Sequence, residues 1–156
     1  MIELNIPGRG NYQLSHLVLD VNGTIAKDGR LIDKVAKPLA GLRDRLTIHM
    51  LTADTYGKQD NIDLMLGMRA TRIKPGDEGQ QKSDFVRQLG AERVIAIGQG
   101  ANDAGMLKTA AIGIAVLGDE GLALEALLSA DVVIQSIYEA LNLLEYPTRL
   151  IATLRK

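Results

Sequence analysis

The residues best suited to chemistry in this chain stand directly after an apolar run. Leu17-Val18-Leu19 ends in Asp20, and Val21-Asn22-Gly23-Thr24 follows at once. We expect Asp20 at the carboxyl end of a buried strand, above a loop around Gly23 whose N–H groups bind an anion. A carboxylate there is suited to attack a phosphoryl group when a cation neutralises the charge. The alternative, an aspartate that caps a turn, explains less well why an acid ends an apolar strand.

Thr52 ends a second apolar strand, in the sequence Leu51-Thr52-Ala53-Asp54. Its hydroxyl and the following N–H of Ala53 are candidates to hold a phosphate oxygen. The same residue is equally typical of a helix N-cap, and Asp54 is an alternative cap.

Lys82 comes after the polar segment 76–81, which we predict to be a loop that ends where a helix opens. Its ammonium group is a candidate to neutralise both Asp20 and a bound phosphate. A solvated surface lysine is the alternative, since lysines are rarely buried unless they are paired. Lys74 competes for the same role.

A glycine-rich loop over residues 98–103 follows a third apolar strand. Asp103 stands where a dinucleotide-binding pattern needs its third glycine, so we reject that interpretation. We interpret Asp103 as a magnesium ligand, direct or through water, with Asn102 orienting it. An acid that is stabilised by the dipole of a following helix is the alternative.

Alternating strands and helices must position these residues. Short apolar strands, each followed by a helix, predict an α/β fold: a three-layer, doubly wound parallel sheet with helices on both faces. We predict one domain over 1–156, with a leading β-hairpin over 1–14 and a small flap hairpin over 24–32. Ligands bind at the carboxyl ends of such strands, so Asp20, Thr52 and Gly98 are expected to converge. Further predictions are helices over 61–66, 83–89, 103–108 and 120–128, and a strand over 69–73.

The composition excludes several function classes. A formal net charge of −1, with no block of like charge, argues against a nucleic-acid or anionic-membrane surface. The absence of cysteine excludes disulfides and thiolate metal sites and is compatible with a cytoplasmic protein. No apolar run approaches the ~20 residues that span a bilayer. His16 and His49, the two histidines, are interpreted as structural.

With these residues in view, the chain resembles the haloacid dehalogenase-like phosphohydrolase superfamily, and most of all its small members related to the phosphorylation domain of P-type ATPases. The correspondence runs roughly from Leu17 to Arg155. It implies that Asp20 becomes phosphorylated, that Thr52 and Lys82 contact the phosphoryl group, and that residues 98–103 form the acidic metal-binding motif for Mg²⁺.

Two amides depart from the superfamily pattern. Phosphatases of the superfamily usually carry an aspartate two residues after the nucleophile as general acid and base, and this chain has Asn22 there. Losing that proton transfer slows turnover by ~2–4 orders of magnitude, although Asn22 still offers its backbone carbonyl to Mg²⁺. Gln99 replaces the first acid of the fourth motif, so we expect weaker metal binding.

The segments between the motifs leave no room for a cap domain. Uncapped members often act on large substrates or form oligomers, so the resemblance implies a phosphorylated small molecule or phosphoprotein as partner and a homo-oligomer such as a tetramer. We interpret the chain as a Mg²⁺-dependent phosphohydrolase or phosphotransferase. The alternative is a catalytically weakened module that binds a phosphorylated ligand or partner as a regulatory or scaffold protein. A third, less favoured hypothesis is that the protein is a stand-alone partner of a membrane ATPase.

Overall fold

Six parallel strands form the central sheet of the computed structural model, which describes all 156 residues. In spatial order they are β10 (Val132–Ile134), β9 (Ile112–Val116), β8 (Val94–Gly98), β3 (His16–Asp20), β6 (Thr47–Thr52) and β7 (Thr71–Arg72). The chain builds β6 and β7 on one side of β3 and then β8 to β10 on the other. The order therefore reverses at β3, and the predicted doubly wound sheet is confirmed.

Seven helices cover the two faces of the sheet: α1 (Ala36–Leu42), α2 (Gln59–Leu66), α3 (Glu78–Gln88), α4 (Ala104–Thr109), α5 (Leu124–Ser129), α6 (Ile137–Glu145) and α7 (Pro147–Leu154). Alternate side chains of each strand point to opposite faces. Leu17 and Leu19 enter a large core with α1, α2, α6 and α7, whereas Val18 enters a smaller core with α3, α4 and α5. No helix is long and apolar enough to cross a membrane.

Two antiparallel hairpins accompany the sheet. β1 (Ile2–Ile6) pairs with β2 (Gly10–Leu14) as the leading hairpin, and its apolar face joins the large core. β4 (Ala26–Lys27) pairs with β5 (Arg30–Leu31) in the flap, which follows the Asp20 loop.

Four predicted boundaries were wrong. Residues 78–81 belong to α3 rather than to a loop; Gly79 misled the prediction because its small size serves close packing on the Asn102 carbonyl, 3.3 Å from where a Cβ would stand. α2 begins two residues before the expected position 61. β7 is shorter than the predicted 69–73, because the Asp63 carboxylate accepts the Ala70 N–H. α5 starts at Leu124 rather than at residue 120, because Gly121 adopts a φ of 89° in a turn.

Candidate active site

Asp20 ends β3 at the point where the strand order reverses. The chain turns immediately beyond it, and the Val21 carbonyl accepts hydrogen bonds from the N–H groups of residues 24–26 at 3.2, 3.0 and 2.9 Å. Gly23 holds this turn with a φ of 79°, where a Cβ would stand 1.9 Å from the Gln99 amide nitrogen. The turn thus requires glycine. The prediction that its N–H groups bind an anion is wrong for most of them, because the N–H of Gly23 donates to the Ala26 carbonyl and those of residues 24–26 donate to Val21; the Asn22 N–H alone has no acceptor in the protein.

A buried lysine joins two aspartates above the sheet. Lys82 Nζ lies 2.6 Å from Asp20 Oδ1 and 2.7 Å from Asp103 Oδ1. The Thr24 hydroxyl donates to Asp20 Oδ2 at 3.2 Å. The relative exposure is 1% for Lys82, 6% for Asp20 and 0% for Asp103. We call these three residues the charge triad; their placement shows that Lys82, rather than the exposed Lys74, contacts Asp20.

Asp103 uses both of its carboxylate oxygens within the protein. Its Oδ1 accepts from Lys82, and its Oδ2 accepts from the backbone N–H groups of Gln99 and Gly100 at 3.0 and 2.9 Å. A 3₁₀ turn over Ala101–Asp103 creates this geometry just before α4. Asp103 therefore fixes the lysine and the glycine-rich loop at the same time.

Burial controls the protonation of the charge triad. Burial, followed by the negative charge of Asp103, raises the pKa of Asp20 to about 7, against the opposing effects of Lys82 and Thr24. Burial acts to lower the pKa of Lys82, but the two aspartates outweigh it and raise that pKa above its ordinary value. The lysine stays charged, while Asp20 takes up a proton near neutral pH.

Close packing of α3 on α4 delivers Lys82 to this position. A Cβ on Gly105 would stand 3.2 Å from the Gly79 carbonyl oxygen, so the absence of side chains lets the two backbones approach. The hydroxyls of Ser83 and Thr109 form a hydrogen bond of 2.9 Å between the same helices. The lysine thus projects from a rigid helix pair.

Thr52 closes the other side of the site at the end of β6. Its Oγ1 accepts the Asp54 N–H at 2.9 Å, and the Asn22 side-chain amide lies 3.5 Å from it. Asp54 Oδ1 accepts the N–H of Gln59, the first residue of α2, but the N-cap position is Lys58, so neither Thr52 nor Asp54 is the N-cap residue. The Thr52 hydroxyl proton and the Ala53 N–H have no acceptor in the protein, which leaves two donors for an anion.

The remaining candidates surround this centre. Asn102 donates to Glu78 at 2.8 Å and so connects the glycine-rich loop to α3, not directly to the Asp103 carboxylate. The Gln99 amide packs against Gly23. His16 Nδ1 and His49 Nε2 lie 3.1 Å apart on β3 and β6, and the structure does not connect them to the charge triad.

The donor set is compatible with a hard divalent cation. The chain contains no group of three histidine, cysteine or acidic side chains arranged for a metal. The site offers the Asp20 carboxylate and the backbone carbonyl of Asn22, which accepts no hydrogen bond from the protein. Magnesium prefers one or two carboxylates together with several waters, so these oxygens fit it.

Sequence reasoning missed two residues beside the triad. Thr24 belongs to the first motif, and its position four residues after Asp20 could have suggested the hydrogen bond that it donates. Glu120 gave no such signal. It approaches Gly23 from a loop almost a hundred residues further along the chain, and only the sheet order brings the two together.

Comparison with curated proteins identifies sequence relatives. No family model matches the chain. It is 42% identical over 92 residues to the uncharacterized protein MJ0073 of Methanocaldococcus jannaschii, an alignment that covers 56% of this chain and 99% of that protein. It is 28% identical over 118 residues to the chloroplastic copper-transporting ATPase PAA1 of Arabidopsis thaliana, covering 71% of this chain but 12% of the ATPase.

Solved structures share the fold. A deoxy-D-mannose-octulosonate 8-phosphate phosphatase of Haemophilus influenzae in a cobalt-bound form aligns with a TM-score of 0.68 at 16% identity, covering 84% of this chain and 86% of that one. The 3-deoxy-D-manno-octulosonate 8-phosphate phosphatase of Moraxella catarrhalis, in complex with magnesium and phosphate, gives 0.63 at 17%, covering 91% and 87%. A phosphoserine phosphatase with a phospho-aspartyl intermediate analogue gives 0.63 at 13%, covering 86% and 99%.

These identities are low, so the structural likeness concerns the fold, and the sequence identity to MJ0073 concerns the family. The resemblance inferred from the motifs is confirmed at the level of the fold. The chain shares its fold with solved structures of haloacid dehalogenase-superfamily hydrolases, and by its sequence it belongs to the same family as MJ0073.

Proposed function

We propose that this protein is a Mg²⁺-dependent phosphohydrolase or phosphotransferase that works through an aspartyl phosphate on Asp20. The observation that carries the proposal is the charge triad, in which one buried ammonium group lies within 2.7 Å of two aspartates at the end of β3. The magnesium and phosphate in the Moraxella enzyme and the phospho-aspartyl analogue in the phosphoserine phosphatase support it by analogy.

The residues of the site divide the work of phosphoryl transfer. An Asp20 oxygen attacks the phosphorus atom while the bond from phosphorus to the leaving oxygen breaks. Lys82, the Thr52 hydroxyl and the Ala53 N–H hold the phosphoryl oxygens and balance their charge. The leaving oxygen takes a proton from solvent. Water then attacks the phosphorus while the bond from phosphorus to the Asp20 oxygen breaks, which releases phosphate and a proton and restores the Asp20 carboxylate.

Magnesium held by the Asp20 carboxylate and the Asn22 carbonyl would supply positive charge that favours the ionised aspartate and offsets the phosphate. Asp103 would reach it through water, because both of its oxygens already accept hydrogen bonds from the protein. The neutral Gln99 adds no charge to this group, so we propose weak metal binding.

Asn22 sets the expected speed. An amide accepts no proton from the attacking water. The aspartyl phosphate is therefore hydrolysed ~2–4 orders of magnitude more slowly than in a site that has a general base. The amides Asn22 and Gln99 also favour the second candidate function, a regulatory or scaffold module that binds a phosphorylated ligand or partner with little turnover.

Beryllium fluoride tests the proposal directly, because it mimics a phosphoryl group on a carboxylate. We expect an adduct by fluorine NMR in the presence of Mg²⁺, together with slow release of phosphate from an aryl phosphate. Both signals should vanish in Asp20→Asn and persist in Asp28→Asn, a matched change in the exposed flap turn.

The possible outcomes separate the two functions. An adduct without turnover at any concentration of metal favours the binding module. Absence of both adduct and turnover in the wild type overturns the enzyme proposal.

The assembly state belongs to this proposal too. We propose a homo-oligomer, such as a tetramer, that acts on a phosphorylated small molecule or phosphoprotein. The exposed leucines of α5 and the unpaired edge of β10 support it. Light scattering at several concentrations tests it, and a monomer at every concentration contradicts it.

A further inference from the structure

A cleft of about 140 Å³ opens beside the Asp20 loop. Its walls are the flap hairpin, the loop between β9 and α5 and the start of α6, and Gly23 and Thr24 form the end near the nucleophile. Thr24 also donates to Asp20, so the cleft begins one side chain away from the charge triad.

The cleft carries an excess of negative charge. Lys27 Nζ pairs with Asp119 Oδ2 at 2.8 Å, which cancels the one cation of the lining. Glu120 makes no hydrogen bond or ion pair in the protein, and its Oε2 lies 2.6 Å from the place where a Cβ on Gly23 would stand. The wall nearest to the nucleophile therefore presents an unpaired carboxylate.

The other walls set the size and character of the occupant. Ala26, Ile32, Val116 and Ile137 form apolar surface, and Ser136 contributes a polar edge. Ser136 Oγ accepts the Glu139 N–H, so its hydroxyl proton remains free for a ligand oxygen. The cleft is small, at about 140 Å³, so it suits a compact group.

We propose that this cleft selects the alcohol part of a small phosphomonoester that carries hydroxyl or ammonium donors and no second anionic group. Glu120 is the specificity residue: it accepts from a donor on the substrate and repels a carboxylate placed there. This inference rests on the proposed function, because the cleft would hold the alcohol part of a substrate only if phosphoryl transfer takes place at the neighbouring Asp20.

Calorimetric binding to the Asp20→Asn variant tests the selectivity without turnover. The probes are phosphoethanolamine, glycerol 3-phosphate and phosphoglycolate, which place a cation, neutral hydroxyls and an anion beside a similar phosphate. We expect phosphoglycolate to bind at least about tenfold more weakly than the other two, the scale of one like-charge contact near a protein surface. Adding Glu120→Gln should reduce that ratio to about one.

Glu125→Gln is the matched control, because Glu125 is exposed on α5 and lies outside the cleft. It should leave the ratio unchanged. Equal binding of the three probes, no binding of any of them, or an unchanged ratio in Glu120→Gln would overturn the inference. The beryllium fluoride adduct of the wild type reports on the proposed function separately, so failure of the cleft and failure of the nucleophile are distinguished.

Discussion

Two lysines pair with aspartates at the same edge of the sheet, in opposite surroundings. The Lys82 side chain is 1% exposed and lies between Asp20 and Asp103. The Lys27 side chain is 50% exposed and lies beside Asp119, which is 75% exposed. Both contacts are short, at 2.6 to 2.8 Å. The distances alone therefore do not reveal how much each ion pair contributes to stability or function.

Solvent explains the difference. In the buried charge triad each charge depends on the others, because no water replaces a missing partner. At the flap, water and salt replace Asp119 at little cost, so the pair forms and breaks freely. The triad is suited to hold a nucleophile in place, and the flap pair is suited to rearrange when a ligand enters the cleft.

Lys82→Met should produce the largest effect. It leaves two carboxylates buried without their cation, which costs about 3–5 kcal/mol when one partner of a buried pair is removed. A domain of this size has a free energy of unfolding of about 5–15 kcal/mol, so the variant should fold but unfold at much lower urea. Urea titrations followed by circular dichroism measure the loss.

Lys108→Met is the control for that experiment, because it removes an exposed lysine from the adjacent helix α4. It should change the urea midpoint little. Equal midpoints for Lys82→Met and Lys108→Met would contradict the view that burial makes the triad interdependent.

The pH dependence of stability sharpens the comparison. Folding raises the pKa of Asp20 from 3.8 to about 7, so between these values the folded state keeps a proton that the unfolded state has lost. The free energy of unfolding then falls as pH rises, by at most about 1.4 kcal/mol per pH unit. Below pH 3.8 both states hold the proton, and the contribution of Asp20 is fully present.

Asp20→Asn lacks this proton, so urea titrations of metal-free wild type and variant from pH 4 to 8 isolate the effect. We expect the stability of the wild type relative to the variant to decline across the window and then to level off. A relative stability that rises with pH would show that Lys82, rather than burial, controls Asp20.

Much of the fold followed from local pattern. Apolar runs that end in polar turns predicted the parallel strands, and helical spacing of leucines predicted the helices between them, because burial on both faces forces that pattern. The start of α3 escaped prediction. Gly79 suggested a loop, but it lies within α3, where its lack of a side chain lets the Asn102 backbone pack closely against the helix.

The site residues could be predicted where the sequence around them marks the end of a strand or a polar loop. Asp20 and Thr52 end strands and Asp103 follows one closely, and parallel topology brings such positions to one edge, whereas Lys82 reaches that edge from α3. The hydrogen bonds of Asp103 were not predictable, since the identity of a residue does not reveal how its two oxygens divide between partners. The approach of Glu120 to Gly23 could not be predicted, because it depends on tertiary packing alone.

Gly23 lies between the two regions, and Gly23→Ala should disturb both by a moderate amount. A side chain at a φ of 79° is strained, and its Cβ would displace the Gln99 amide and the Glu120 carboxylate. Such strain costs about 1–3 kcal/mol. We expect a lower urea midpoint and a smaller phosphoglycolate discrimination in the cleft. Gly41→Ala on the exposed face of α1, whose Cβ would meet no atom within 4 Å, is the comparison variant and should change neither quantity.

Lys27→Ala should have the smallest effect, and it tests the exposed half of the comparison. Solvent replaces the lost contact with Asp119, so we expect no measurable change in Tm at either low or high salt. The cleft should become more negative, so phosphoglycolate should bind more weakly still, while phosphoethanolamine binds at least as well as before. A fall in Tm comparable to that of Lys82→Met would mean that the flap pair is a structural element, and the contrast between the two lysines would then lie in their position rather than in their burial.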